Sequence, residues 1–117
     1  MATAWDCTEP KEAWDLVSHF VGNLLCAGIG LKLQRLKDAE TQDERDTLEN
    51  EISRTRAQLV GFLFVIGRRM HMHSHEDMAH RVDTMLDAVV TEDITDPAIL
   101  KQVVTTYERI GAMPPPS

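Results

Sequence analysis

Aromatic residues, cysteines and positive charge are all scarce in this chain, and each shortage narrows what it can be. Phe, Trp and Tyr make up 5% of the 117 residues. A core must therefore be assembled from Leu, Val, Ile, Met and Ala, which suits packed helices better than a β-sandwich. The two cysteines, Cys7 and Cys26, have no paired spacing, which excludes a disulfide framework or cysteine zinc site and fits a reducing, cytoplasmic setting. Twelve Lys plus Arg against nineteen Asp plus Glu leave a net charge of −7. The basic footprint that grips a phosphate backbone is missing, so direct nucleic-acid binding is not expected. The most apolar stretch, Leu16 to Leu33, is interrupted by Ser18, His19, Asn23 and Lys32. A spanning helix needs about 20 predominantly apolar residues, so no membrane segment is expected.

Catalytic patterns are missing as well. There is no Gly-rich phosphate loop, nucleophile elbow or zinc-finger spacing. His19 and Cys26 lie seven residues apart, about 10 Å along a helix, too far for a nucleophile and its base. Glu44, Glu49 and Glu51 have no Glu-x-x-His companion with which to build a metal-carboxylate centre. Neither an enzyme nor a cofactor is expected.

What is present is 43% apolar and 26% charged residues, the proportions of a folded globular chain of single-domain size. Residues 1–113 read as one helical domain, and 114–117, Pro-Pro-Pro-Ser, as an extended, disordered tail. Thr8-Glu9-Pro10 supplies a cap, an acid and a first-turn proline to open a helix. From there Ala13, Val17, Phe20, Leu24, Ala27 and Leu31 form an apolar stripe, widened by Leu16, Val21, Leu25 and Ile29. Gly22, Gly28 and Gly30 inside that helix imply either a close approach or a bend, and Cys26 is expected to be buried. Beyond a polar connection at Asp38 to Gln42, a second period runs through Leu48, Ile52, Thr55, Leu59, Phe62 and Ile66. Its segment Leu59 to Ile66 is apolar all round, as in a helix enclosed by neighbours. Ser74 with Asp77 resembles a capping box ahead of Met78, Val82, Met85, Leu86 and Val89. Asp96-Pro97 opens a last helix carrying Ile99, Leu100, Val103, Val104, Tyr107 and Ile110, with Gly111 as its stop. The expected fold is an all-α bundle of about four helices, two long and two shorter. Because one small chain encloses so much apolar surface only with difficulty, homodimerisation is expected to complete it.

Two kinds of segment carry chemistry. The run from Met70 to His80 holds four of the five histidines, and His71, His73, His75 and His80 are candidate ligands for Zn, Ni or Cu. The five-residue gap from His75 to His80 does not match the four-residue spacing of a helical zinc site, and no cysteine lies nearby. The run therefore reads first as a solvated turn between helices, with a metal- or pH-responsive role as the alternative. The second feature is charge segregation: Asp38 to Glu51 and Glu76 to Asp96 each carry seven acids and one Arg, while Ile52 to His75 carries Arg54, Arg56, Arg68 and Arg69 with no acid. Acidic runs solubilise a domain, but clustered acids also steer a basic partner. The functional expectation is a non-enzymatic adaptor or inhibitor, of the kind a phage or mobile element encodes. It would dock on the basic surface of a protein partner through Asp43, Glu44, Asp46, Glu49 and Glu51.

Overall fold

The computed structural model describes residues 8–91 and 96–114. Those residues form four helices and no strand. We label them α1 (Pro10–Asp38), α2 (Gln42–Met72), α3 (Glu76–Thr91) and α4 (Pro97–Gly111). The second helix runs unbroken through Leu59 to Ile66. It packs most extensively on α3 and, along its other flank, on α1, while α4 closes the bundle against α1 and α3.

The first helix departs most from its sequence pattern. Its buried positions are Ala13, Val17, Val21, Leu25, Ile29 and Leu33, a strict four-residue repeat. In an α-helix each four-residue step overshoots a full turn by about 40°, so such a stripe would wind off the core within a few steps. The chain prevents this by widening its turns: Asn23–Gly30 is π-helical, and the Leu31 N–H bonds the Cys26 carbonyl five residues back. Wider turns hold more residues, so the four-residue repeat stays on one side. The expected stripe through Phe20, Leu24, Ala27 and Leu31 assumes an unbroken α-helix and is wrong from Phe20 onward. Phe20 is 44% exposed and Leu31 50% exposed, Ala27 is exposed and Leu24 half-buried. For the same reason Cys26 is an exposed free thiol rather than a buried one. Phe20 stacks against Phe62 with ring centroids 5.0 Å apart, which leaves Phe62 half-buried while Leu63 takes the core position.

Widened turns bring α1 hard against α2. A Cβ on Gly28 would lie 2.9 Å from Thr55 Cγ2, a stiff β-branched methyl that cannot swing away. Thr55 itself is buried and returns its hydroxyl to the Glu51 carbonyl at 3.0 Å. The same economy recurs at Gly67, where a Cβ would meet Val82 Cγ1 and Asp83 Oδ1, each at 3.2 Å. Both contacts are close approaches of the kind the helical glycines imply.

Several boundaries differ from expectation. Glu9, not Thr8, is the N-cap of α1. Ser74 is not an N-cap: it sits at φ 61°, and its N–H bonds the His71 carbonyl while that of His75 bonds Met70, the pairing that closes a helix C-terminus. The third helix accordingly starts one residue later, at Glu76, than a Ser74 cap would imply. Gly111 lies inside α4, with Ala112 as the C-cap, so no left-handed glycine stop is used. Pro114 is held, because its carbonyl accepts from Arg81 Nη2 at 2.7 Å; residues 115–117 of the expected tail lie outside the described residues. The polar residues within Leu16 to Leu33 do not offset its apolar ones. By length and composition alone, Pro10–Asp38 is apolar enough to cross a membrane, with 28% of its most apolar window buried.

If Gly28 and Thr55 are the contact that sets the α1–α2 distance, Gly28→Ala should change sign with its neighbour. In the wild-type background overpacking should lower stability by about 1 kcal/mol. In a Thr55→Ser background, where Cγ2 is gone, the same change should be neutral or stabilising by up to about 1 kcal/mol through helix propensity. Urea midpoints across the double-mutant cycle measure it. Equal losses in both backgrounds would mean that the two helices do not meet there.

Candidate functional site

The acidic residues singled out in the sequence lie in the first three turns of α2, but they do not form one surface. Thr41 caps the helix by accepting from the Glu44 N–H at 3.2 Å, and Glu44 Oε2 reaches back to the Glu40 N–H at 3.4 Å. Glu44 is thereby part of the helix start. Glu51 faces α1, half-buried, with Lys32 Nζ 3.8 Å from its carboxylate. The remaining three, Asp43, Asp46 and Glu49, turn away from the core and are exposed. Asp46 accepts from the neutral Gln42 side chain at 2.8 Å. Among the described residues, none of the three carboxylates has a cationic partner within ion-pair distance.

The second acidic run, with the same net charge, is also exposed, but Glu76, Asp77, Asp83 and Asp96 have partners within the chain. Asp77 pairs with Arg81 at 3.2 Å, Glu76 and Asp83 both meet His71, and Asp96 caps α4 through the Ala98 N–H at 2.9 Å. Glu92 and Asp93 lie outside the described residues. Two runs that look alike in sequence therefore differ in availability, and the free acids belong to α2.

The basic stretch divides in the same way. Arg56 reaches across to the C-terminal end of α3 and donates from Nε and Nη2 to the Val89 carbonyl at 3.2 and 3.1 Å, and from Nη2 to the Val90 carbonyl at 2.9 Å. A cation on the last carbonyls of a helix satisfies groups that have no partner within that helix. Arg54 and Arg68 remain exposed on the outer side of α2. Arg81, 5% exposed, lies over the Trp14 ring at 4.9 Å and ties α3 both to the start of α1 and to Pro114.

The histidines do not converge. His71 lies on the last turn of α2, His73 is its C-cap, His75 is half-buried at the entry to α3, and His80 is exposed one turn further on. Among the described residues no three His, Cys, Asp or Glu side chains are grouped to hold a metal ion. What the turn does contain is a clasp: His71 Nε2 lies 2.9 Å from Asp83 Oδ2 and Nδ1 lies 3.2 Å from Glu76 Oε2. The hydrogen bond to Asp83, helped by the charges of Asp83 and Glu76, holds the His71 pKa above its ordinary value. The segment is thus an interhelical contact as well as a solvated turn.

A groove between α1 and α4 is lined by Leu25, Cys26, Leu31, Leu100 and Val104, with Lys37 and Lys101 at its edge. No carboxylate or histidine lines it, so it offers no acid–base pair. Of the contacts that sequence reasoning missed, Thr41 with Glu44 was visible as a T-x-x-E cap. The contacts of Arg56 with Val89 and Val90, and of Arg81 with Trp14 and Pro114, were not, because each joins residues more than 30 positions apart.

No protein-family model matches the chain, and neither a curated protein nor a solved structure is similar to it.

His71 gives the site a pH signature. A raised folded-state pKa means that the clasp is fully stabilising below the unfolded value of about 6.5 and fades as pH rises through the folded value. The melting temperature lost on His71→Gln should accordingly be larger at pH 5.5 than at pH 8.5, as read by circular dichroism. An equal loss at both pH values would contradict an ionic clasp.

Proposed function

We propose that this chain is a non-enzymatic interaction protein, a small acidic adaptor or inhibitor, whose working surface is the outer side of the first half of α2. The observation that carries this reading is the contrast between the two acidic runs. Glu76, Asp77, Asp83 and Asp96 each have a partner within the chain, Glu76 and Asp83 across two helices at His71, whereas Asp43, Asp46 and Glu49, exposed on one arc of α2, meet no cation among the described residues. Unpaired acids on a rigid helix present a fixed negative field to a basic protein surface and raise encounter rates with it. The expected docking set is thereby narrowed: Glu44 and Glu51 have structural duties, and the contact falls to the other three. Self-association belongs to the same reading, since Phe20, Leu31, Phe64 and Met72 are each at least 44% exposed. A cytoplasmic setting is supported by the exposed free thiol of Cys26.

A pH-responsive role is the second reading, favoured by the His71 clasp between α2 and α3. Among the described residues no grouping of side chains favours its metal-binding form.

Reversing Asp43 and Glu49 together to Lys should leave the fold in place, because exposed helix charges contribute only tenths of a kcal/mol. The partner captured by the immobilised wild-type chain at low salt should associate with this double variant about tenfold more slowly or worse. Its binding to wild type should weaken as ionic strength rises. Association that is as fast for the variant as for wild type would reduce the acids to a solubilising face.

A further inference from the structure

We infer that the basic surface fitted by the acidic end of α2 is the other end of α2 in a second copy, so that two chains pair antiparallel along the outer sides of this helix. The inference rests on the docking reading above and names the partner of that surface.

The outer side of α2 is a continuous stripe. Asp43, Asp46, Asn50, Arg54, Ala57, Gly61, Phe64, Arg68 and Met72 recur at steps of three and four, and every one of them is exposed. Such spacing is what a helix needs to lay one face along another. The inner side already carries its own stripe, Leu48, Ile52, Thr55, Leu59, Leu63, Ile66 and Met70, all buried. The outer stripe is therefore surplus to the fold of one chain.

Its composition changes along its length. Acids occupy the first turns, Asn50 and Arg54 follow, the small Ala57 and Gly61 lie at and just past the middle, and two exposed apolar side chains flank an arginine at the end; Phe64 is 55% and Met72 64% exposed. A Cβ at Gly61 would meet nothing within 4 Å, so among the described residues nothing crosses the stripe at that point. Small residues at a crossing let two helix backbones approach closely.

A parallel pairing would set Arg68 against its own copy and Asp46 likewise, which like charges disfavour. An antiparallel pairing does the opposite. With full overlap of the two 31-residue helices, each about 46 Å long, the two-fold axis passes beside their midpoint, Ala57. Residue 68 of one copy then stands level with residue 46 of the other, which places Arg68 against Asp46 twice. Ala57 meets Ala57 at the axis, and Gly61 lies level with Ser53. Neither Asp46 nor Arg68 has an ion-pair partner among the described residues, so this pairing breaks no ion pair described within the single chain. The apolar Phe64 and Met72 are covered in the same step, and that adds a contribution salt does not screen.

Cysteine cross-linking of the full chain with Cys7→Ser and Cys26→Ser tests the register directly. Ala57→Cys should form a disulfide-linked dimer under mild oxidation, since Cβ atoms at the axis can come within the required 3.5–4.5 Å. Asp46→Cys and Arg68→Cys should cross-link poorly alone and efficiently when mixed. As a second arm, Arg68→Asp and Asp46→Arg should each weaken dimerisation about fivefold or more, and their combination should restore it. A dimer in which Ala57→Cys fails to cross-link, or in which Asp46→Cys links readily to itself, would overturn the pairing while leaving self-association intact. A chain that stays monomeric at every concentration would overturn both.

Discussion

The arrangement depends on one mismatch, between the four-residue repeat of apolar side chains on α1 and the 3.6-residue turn of an α-helix. Ala13 through Leu33 can face one core only if the turns between them widen, and Asn23–Gly30 is where they do. That segment brings Gly28 within reach of the Thr55 methyl. Helix α2 is thereby drawn in along one flank by α1, and along the other by α3 at Gly67 and at Arg56. With both flanks held, the side of α2 opposite the core is presented as an exposed edge in a molecule 49 Å long and 25 by 23 Å across.

Charge follows from that geometry. Acids beside the core-facing flanks find partners, as Glu51 does in Lys32 and Asp83 does in His71. Among the described residues, Asp43 and Asp46 on the outer edge meet no cation. Arg56 and Arg68 belong to one basic run in sequence, yet the first closes the end of α3 and the second stays on the open edge. What distinguishes a structural charge from an available one is its angle around the helix, which net charge by segment cannot express.

Much of the fold was legible. The number and order of helices, the passage of α2 through Leu59 to Ile66, and the caps at Asp96 and Pro97 follow from period and capping chemistry, because those signals are local. The inner face of α1 was not legible past Val17. A stripe is read by assuming 3.6 residues per turn, and the assumption fails where the backbone bonds five residues back. Leu25 and Ile29, which only widened the expected stripe, are its true members, while Phe20 and Leu31 are outside it. Ser74 misled for a related reason: a residue favoured at helix starts here takes a left-handed conformation at a helix end. The histidine run appeared as a cluster because residues adjacent in sequence were counted together. Among the described residues, only His71 of that run meets acids through its side chain, and Asp83 comes from twelve residues away.

The central claim is that the outer edge of α2 is a charge-dependent binding surface that the single-chain fold leaves free. Sedimentation equilibrium of the wild-type chain across micromolar concentrations, at low and at high salt, addresses it most directly. The account predicts a reversible species of twice the 13.2 kDa chain mass at low salt, dissociating more readily as salt rises. A mass of one chain throughout, or a dimer whose dissociation constant ignores salt, would contradict it.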